Sequence, residues 1–428
     1  MSFTYAEFGT EPERMIKMQI ALMGYGVVGS GVVELFEKNR ESIIVKSMQD
    51  DMALKYILDV RDFPDDKFAH LFTKDFSDIL NDKDVSIVVE TIGGLHPAYE
   101  YVRACLEAGK HVVSSNKELV AQCGHELLKL ATEKNVNFLF EASVGGGIPI
   151  IRPISQCLAA NEIKEIAGIL NGTTNYILTK MFSEGQSFTD ALRSAQELGY
   201  AERDPSADVE GLDSCRKICI LASLCFGHHI YPDNTYTEGI TAITAEDVEY
   251  ARNWGGVIKL IAFARRMQDG GVLTLVSPAF VQGHSQLASV DDVFNAILVR
   301  GDAIGDVVFY GRGAGKLPTA SAVVADVIDC AKHTARKRFF GWEGVSEVPA
   351  ADHLEEPVSL YVRASIGEFL STAAALHDTL GAVRILKRDG APSDELAFVT
   401  PFAPEGELRD KIASLPITPL SVIRITDY

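Results

Sequence analysis

Gln19-Ile-Ala-Leu-Met-Gly-Tyr-Gly-Val-Val-Gly29 is the stretch that decides the fold of the first part of this chain. A short apolar run ends at Gly24, and residues 27–38 then carry apolar side chains at helical spacing. Gly24 permits a tight turn, Gly26 lets backbone N–H groups approach a pyrophosphate, and Gly29 lets helix and strand pack closely. A glycine pattern alone is often only a flexible turn, but between a strand and a helix it predicts dinucleotide binding.

Strand-like runs and helical segments alternate as far as residue 140. The apolar runs lie at 54–60, 87–90, 111–114 and 137–140, and helical segments lie at 97–108 and 118–134. Such alternation predicts an α/β domain with a Rossmann-type, doubly wound parallel sheet. We expect this domain to span 1–148, with a later helix within 312–335 returning to it.

Two further domains follow in the predicted organisation. Residues 149–311 mix helical and strand-like segments, which indicates a mixed α/β substrate domain. Charged and irregular residues at 336–356 predict a linker. Residues 357–428 carry the order βαββαβ, which is that of a ferredoxin-like unit.

Composition excludes several classes of protein. The chain has 428 residues, of which 47% are hydrophobic and 23% charged, so it fits a soluble protein of two or three domains. Its net charge of −19, without a basic cluster, argues against a nucleic-acid partner. The apolar runs are too short to span a bilayer and the first 18 residues lack a signal segment, so we expect a cytoplasmic protein with no membrane partner. Seven scattered cysteines match no zinc or disulfide pattern.

Polar residues at predicted strand ends extend the candidate cofactor site. Thr91 follows one strand, and Ser115 and Lys117 follow the next. Ligands of open α/β sheets bind at such strand ends. A lysine there is usually a surface residue, but beside a nicotinamide it positions substrate or assists proton transfer.

Residues after the second predicted strand bear on the choice of cofactor. An acid such as Asp59 or Asp62 would bond the free 2′-hydroxyl of NAD, whereas Arg61 would pair with the 2′-phosphate of NADP. We favour NADP slightly. NAD, and a merely solvated strand end, remain open.

Three acidic residues precede a lysine within one short segment. Glu202, Asp208 and Asp213 come before Lys217, and Asp213 and Lys217 lie four residues apart on one face of a predicted helix. The plain interpretation is a surface ion pair. The functional one is a carboxylate pocket for a substrate ammonium, with a lysine that donates a proton to a carbonyl oxygen.

Several sequence blocks occur in one order with the glycine turn. They are Ser115-Asn-Lys-Glu-Leu-Val-Ala121, Glu141-Ala-Ser-Val-Gly-Gly-Gly-Ile-Pro-Ile-Ile151, Leu170-Asn-Gly-Thr-Thr-Asn-Tyr-Ile-Leu178, the acidic block 195–217 and Gly311-Arg-Gly-Ala-Gly-Lys-Leu-Pro-Thr-Ala320. From about residue 19 to 335 this set resembles the homoserine dehydrogenase family.

The resemblance implies reversible, NAD(P)H-dependent reduction of L-aspartate 4-semialdehyde to L-homoserine in threonine, methionine and isoleucine biosynthesis. It implies that Lys217 is the proton donor, that Asp213 orients the substrate and that Lys117 lies near both substrate and nicotinamide. Further substrate-binding candidates are Glu202, for the amino group, with Asp208, Gly172 and Thr173. Cofactor-binding candidates are Gly24, Gly26, Val27, Val28, Gly29, Arg61, Thr91, Ser115, Lys117, Gly199 and Gly315.

The resemblance also implies a monovalent cation, Na+ or K+, bound at Glu141, Val144, Gly146 and Ile148. One side-chain carboxylate with backbone carbonyls would make an oxygen site, and a glycine-rich hinge is the alternative. A homo-oligomer is implied as well, either a dimer built through residues 149–311 or a tetramer.

Residues 357–428 resemble an ACT domain, a regulatory module often appended to this family. The usual Asp-x-Pro-Gly-like turn is replaced by Ala364-Ser-Ile-Gly-Glu-Phe369, without proline, and Pro401 stands where many relatives carry histidine. The resemblance therefore covers the fold, and leaves inhibition by threonine or another amino acid open.

Two other functions compete with this hypothesis. One is an NAD(P)-dependent oxidoreductase for another small aldehyde or a 2-hydroxy acid, which would not need Glu202, Asp208 and Asp213 together. The other is an amino-acid sensor that only binds cofactor, which would need neither Lys117 nor Lys217 as a proton donor.

Overall fold

The computed structural model describes residues 17–335, 338–342 and 351–428. The first 16 residues of the predicted cofactor domain, and positions 336–337 and 343–350 of the predicted linker, lie outside the described residues. Within the described ranges, no helix combines the length and the apolar character needed to cross a lipid bilayer.

The first part of the chain alternates strands and helices. Its elements are β1 (Lys17–Met23), α1 (Val27–Lys38), α2 (Arg40–Ser47), β2 (Asp51–Leu58), β3 (Phe72–Thr73), α3 (Phe76–Leu80), β4 (Val85–Glu90), α4 (Ala98–Glu107), β5 (His111–Ser114), α5 (Lys117–Glu133) and β6 (Phe138–Leu139). The strands form one parallel sheet in the order β3-β2-β1-β4-β5-β6. This order is that of a doubly wound dinucleotide-binding sheet, so the predicted Rossmann-type fold is confirmed.

Several details of that prediction are wrong. The elements α2, β3 and α3 were not predicted, and the second strand, predicted at 54–60, runs from Asp51 to Leu58. Val60 continues the apolar run but is 88% exposed. Beyond the end of the strand, the Asp59 carboxylate accepts a hydrogen bond from the backbone N–H of Tyr25.

The middle part carries a mixed sheet with helices. Its elements are β7 (Ile163–Ile169), α6 (Gly172–Glu184), α7 (Phe188–Glu197), α8 (Ser206–Val209), α9 (Leu212–Phe226), β8 (Tyr236–Thr237), α10 (Ala245–Trp254), β9 (Gly256–Arg266), β10 (Val272–Gln282), β11 (Phe294–Gly301), β12 (Gly305–Arg312) and α11 (Lys316–Lys332). Helix α11 returns to the first part, where Ala320 and Val323 share a buried cluster with Val32 and Val33 of α1. Gly31 permits this approach, since a Cβ there would lie 2.8 Å from the Lys316 carbonyl oxygen.

The last part has the predicted βαββαβ order. Its elements are β13 (Pro357–Ile366), α12 (Phe369–Leu380), β14 (Arg384–Leu386), β15 (Glu395–Val399), the short β16 (Ala403–Pro404), α13 (Glu405–Ser414) and β17 (Ile417–Thr426). The strand order β17-β13-β15-β14, with antiparallel neighbours, is ferredoxin-like.

One connection in the fold has no counterpart in the predictions. Strand β17 pairs in parallel with β10, where Ala279–Val281 lie opposite Arg424–Thr426. The last part and the middle part therefore share one 11-stranded sheet. Pairing between two strand edges distant in sequence leaves no local periodic signal.

Candidate active site

The glycine turn between β1 and α1 has the shape that a pyrophosphate requires. A Cβ on Gly29 would lie 2.0 Å from the Gly24 carbonyl oxygen, so these two positions are packed backbone to backbone. A Cβ on Gly26 would meet nothing within 4 Å. Helix α1 has no side-chain cap and no acidic residue in its first turn. Its first N–H groups are thus free to face an anion, and the residues present fit a dinucleotide.

We predict opposite effects for alanine at two of these glycines. Gly29→Ala should lower the free energy of unfolding by about 1–3 kcal/mol, because its methyl group clashes with the backbone. Gly26→Ala should leave stability unchanged but weaken cofactor binding about tenfold or more, because its methyl group enters the space in front of the helix N-terminus. Thermal melts and fluorescence titration with NADPH and NADH measure the two effects. Equal loss of stability in both variants would contradict this assignment.

The other cofactor-binding candidates at the turn lie around it. The Thr91 hydroxyl donates to the Gly24 carbonyl at 2.8 Å, which ties the end of β4 to the turn. The side chain of Val27 is 70% exposed at the start of α1, next to the half-buried Val28. Ser115, also half-buried, donates its backbone N–H to the Glu90 carbonyl.

Arg61 and Asp59 occupy the ribose end of the candidate cofactor site in different ways. Asp59 accepts from the Tyr25 N–H at 2.7 Å, and its side chain is only 7% exposed. The Arg61 guanidinium holds the pKa of Asp59 at about 2, through its bonds to the carboxylate. Arg61 itself is 56% exposed. It borders a cavity of about 350 Å³ that Phe72 and Lys74 also line. Arg61 thus keeps an exposed side chain beside this cavity, although its guanidinium also bonds to Asp59 and to the Tyr25 carbonyl.

Asp213 joins the two catalytic lysine candidates. Its Oδ1 lies 2.6 Å from Nζ of Lys117, and its Oδ2 lies 2.6 Å from Nζ of Lys217. Lys117 is the first residue of α5 in the cofactor-binding part, whereas Asp213 and Lys217 share one face of α9. Lys217 also donates to the Leu170 carbonyl at 2.8 Å. The i,i+4 pair is therefore buried, unlike a surface ion pair, and Lys117 joins it from the cofactor-binding part of the chain.

Charge and burial give the two lysines different properties. Burial lowers the pKa of Lys217, although Asp213 opposes this. The charge of Asp213 raises the pKa of Lys117 despite partial burial. Burial alone would raise the pKa of Asp213, but the two ammonium groups outweigh it and hold that pKa well below its usual range. The pKa of Lys217 is thus shifted down and the pKa of Lys117 is shifted up.

Asn171 is a site residue that the sequence analysis quotes only within a block. Its amide donates to Asp208 at 2.6 Å and to Asp213 at 2.9 Å. Its carbonyl oxygen caps α6 by accepting from the Thr174 N–H. An asparagine before a helix is an ordinary capping signal, so nothing in the sequence distinguishes its second role.

A pocket of about 500 Å³ is lined by all the predicted catalytic and substrate-binding residues. Burial raises the pKa of Asp208 on its wall, and Glu202 is exposed at its edge. The Thr173 hydroxyl donates to the Tyr200 carbonyl at 2.7 Å and so holds the acidic segment against α6. The predicted residues in the lining are Lys117, Gly172, Thr173, Gly199, Glu202, Asp208, Asp213, Lys217 and Gly315. Arg216 and Arg312 also line it and were not predicted.

The Glu141 carboxylate lies at the start of segment 141–148, which is predicted to bind a monovalent cation. It accepts backbone N–H bonds from Ile150 at 2.6 Å and from Ile151 and Arg152 at 2.8 Å. Within the described residues, no group of three or more His, Cys, Asp or Glu could hold a metal ion. The monovalent-cation site at Glu141, Val144, Gly146 and Ile148 stays a prediction.

Comparisons with known proteins identify the family of this chain. Residues 24–141 match the family model described as homoserine dehydrogenase, NAD binding domain, and residues 149–328 match that of homoserine dehydrogenase. A homoserine dehydrogenase from Synechocystis is 46% identical over 73% of both chains.

Solved structures extend the match. The homoserine dehydrogenase from Thiobacillus denitrificans is 35% identical, covers 96% of this chain and 98% of its own, and superposes with a TM-score of 0.86. A hyperthermophilic archaeal homoserine dehydrogenase in complex with NADPH is 28% identical, with a TM-score of 0.62 over 73% of this chain and 97% of its own. With its nicotinamide-binding domain and its buried lysine–aspartate–lysine site, the chain belongs to the homoserine dehydrogenase family of oxidoreductases.

Proposed function

We propose that this protein reduces L-aspartate 4-semialdehyde reversibly to L-homoserine in the cytoplasm, as a step of threonine, methionine and isoleucine biosynthesis. The observation that carries the proposal is the contact of Asp213 with both Lys117 and Lys217, in a pocket lined by the cofactor-binding and middle parts of the chain. Hydride transfer requires cofactor and substrate to be bound next to each other, so residues from the cofactor-binding part and the middle part must meet in one site.

Lys217 carries the proton chemistry in this proposal. A bound nicotinamide supplies the hydride that reduces the aldehyde carbon. Negative charge then builds on the aldehyde oxygen, and the Lys217 ammonium stabilises it and donates the proton that completes the alcohol. Asp213 holds that ammonium in place, while Lys117 remains a fixed positive charge beside the reacting groups.

The acidic residues select the substrate. An amino-acid aldehyde carries its own ammonium, and Glu202 and Asp208 offer negative charge in the pocket. Asn171 holds Asp208 in place. A 2-hydroxy acid has no ammonium and gains nothing from this charge.

One assay separates the three functions. NADPH or NADH consumption with L-aspartate 4-semialdehyde is expected, and glycolaldehyde, which lacks the ammonium, should react at least tenfold less efficiently. Equal turnover of both aldehydes would favour an oxidoreductase with a broader substrate specificity. Cofactor binding without any turnover would favour a sensor.

The exposed Arg61 supports a preference for NADP, as does the archaeal relative in complex with NADPH. We predict that Arg61→Ala raises KM for NADPH about tenfold or more and leaves KM for NADH nearly unchanged, because a charged hydrogen bond contributes about 1.5–3 kcal/mol. Lys55→Ala, which removes a cation paired with Asp82, is the matched control. Equal changes for both cofactors would count against the preference.

Three further features belong to the same proposal. The segment with Glu141, Val144, Gly146 and Ile148 binds Na+ or K+ through its oxygen atoms, which a melting temperature raised by these ions over tetramethylammonium would support. The protein forms a homo-oligomer, which light scattering tests. The βαββαβ unit is an ACT domain, and activity measured with and without threonine decides whether threonine is an effector of this enzyme.

A further inference from the structure

Two fully buried polar side chains lie at the ends of neighbouring strands beside the candidate active site. Glu90 ends β4 and Ser114 ends β5, and both are 0% exposed. The Glu90 carboxylate accepts from the backbone N–H groups of Ile92 at 2.8 Å and Gly93 at 3.4 Å. Its other oxygen accepts from the Ser114 hydroxyl. One carboxylate thus fastens the loop after β4 to the end of β5.

The connections continue into helix α5. The Ser114 oxygen accepts from the Asn116 N–H at 3.0 Å. Asn116 caps α5 by accepting from the Leu119 N–H at 3.1 Å, and its amide donates to the Gly94 carbonyl at 2.6 Å. The contacts among Glu90, Gly94, Ser114 and Asn116 form a closed hydrogen-bonded circuit between the two loops. Lys117 directly follows Asn116 and is the first residue of α5, so it lies next to this circuit.

Burying the Glu90 carboxylate has an energetic cost. A carboxylate buried without a cationic partner loses its hydration, and burial accordingly raises the pKa of Glu90. The sheet itself does not need the group, since both strands are already paired along their backbones. The circuit fixes the backbone at the N-terminus of α5, which carries Lys117. The Lys117 side chain is long and 41% exposed, and its ammonium must meet Asp213 on another part of the chain.

We propose that Glu90 and Ser114 are positioning residues for catalysis, which hold the first turn of α5 so that Lys117 reaches Asp213. Neither touches the reacting atoms in this role. The inference rests on the proposed function through the part assigned to Lys117.

The test is a double-mutant cycle on the full-length protein. Ser114→Ala should lower kcat about 10- to 100-fold, the usual scale for a small misplacement of a reacting group. In a Lys117→Met background the same change should lower kcat no further, because its effect passes through Lys117. Ser114→Thr retains a hydroxyl and should restore most of the activity. Ser47→Ala is the matched control, since Ser47 is also 0% exposed and donates to one backbone carbonyl, Ile44.

A second readout does not depend on turnover. Hydrogen exchange of cofactor-free protein should become faster in peptides covering 90–95 and 114–120 in Ser114→Ala and in Glu90→Gln, and should stay unchanged there in Ser47→Ala. This measurement also keeps the proposal testable if one variant loses stability.

The outcomes separate the two levels of the hypothesis. A wild-type protein that does not reduce aspartate semialdehyde removes the proposed function, whatever the variants do. An active wild type in which the effects of Ser114→Ala and Lys117→Met multiply overturns the positioning role alone. Unchanged kcat together with unchanged hydrogen exchange in Ser114→Ala overturns it as well.

Discussion

Lys217→Met is expected to lower kcat by about 10² or more while the protein stays folded, on the scale usual for loss of a general acid. The buried ammonium donates to the Asp213 carboxylate and the Leu170 carbonyl, and in the proposed mechanism it is the group that protonates the alkoxide. Methionine has a similar length and no charge, so it fills the space without supplying a proton. Steady-state rates in both directions, with circular dichroism of each protein, measure this effect.

A matched control comes from another buried lysine in the same part of the chain. Lys259 is 2% exposed, donates to the Val290 carbonyl and does not itself line the pocket. Lys259→Met should reduce the melting temperature but not kcat of the folded enzyme. Near-normal turnover of folded Lys217→Met would remove Lys217 as the proton donor and leave Lys117 as the candidate.

Asp213→Asn is expected to have the second large effect. The carboxylate is shared by two ammonium groups, and its loss leaves Lys117 and Lys217 repelling each other in a buried site. Breaking a buried ion pair from one side costs about 3–5 kcal/mol of unfolding free energy. The catalytic efficiency should fall at least 10²-fold, because the proton donor loses the group that orients it. Urea unfolding and kcat/KM measure the two losses.

The stability difference between wild type and Asp213→Asn should depend on pH with a definite sign. The pKa of Asp213 is lower in the folded protein than in the unfolded chain, where it is about 3.9. Its stabilising contribution is therefore complete above that value and is lost as pH falls toward the folded pKa. The difference should be largest near pH 7 and shrink below about pH 4. Asp306→Asn, which breaks an exposed pair with Arg300, is the control and should show little difference at either pH. A gap that widens on acidification would contradict the shared-carboxylate arrangement.

The sequence predicts the parts of this molecule that repeat or that occur in recognisable blocks. Alternating strands and helices indicate the parallel sheet, and the spacing of Asp213 and Lys217 places them on one helical face. Periodicity does not reveal which residue of another segment contacts that helical face. That Lys117 meets Asp213 from another part of the chain depends on packing between distant segments.

Single polar residues with two functions were the hardest to predict. Asn171 and Asn116 are both helix caps, and only the structure shows that their amides also bind Asp208 and the loop after β4. Glu141 likewise has a structural role that the sequence does not reveal, since its carboxylate accepts the backbone N–H groups of residues 150–152.

The pairing of β17 with β10 determines how the last part of the chain can behave. Without it, residues 279–281 of β10 would present unpaired N–H and C=O groups, a surface on which other chains can add as strands. The ladder covers that edge, and Arg424 reinforces it through an ion pair to Glu238 at 3.0 Å. Two positions further on, the backbone N–H of Ile240 bonds to the Val209 carbonyl in the acidic segment. The βαββαβ unit is therefore joined to the rest of the chain by a backbone ladder as well as by its linker, and a short series of contacts connects that ladder with the acidic segment.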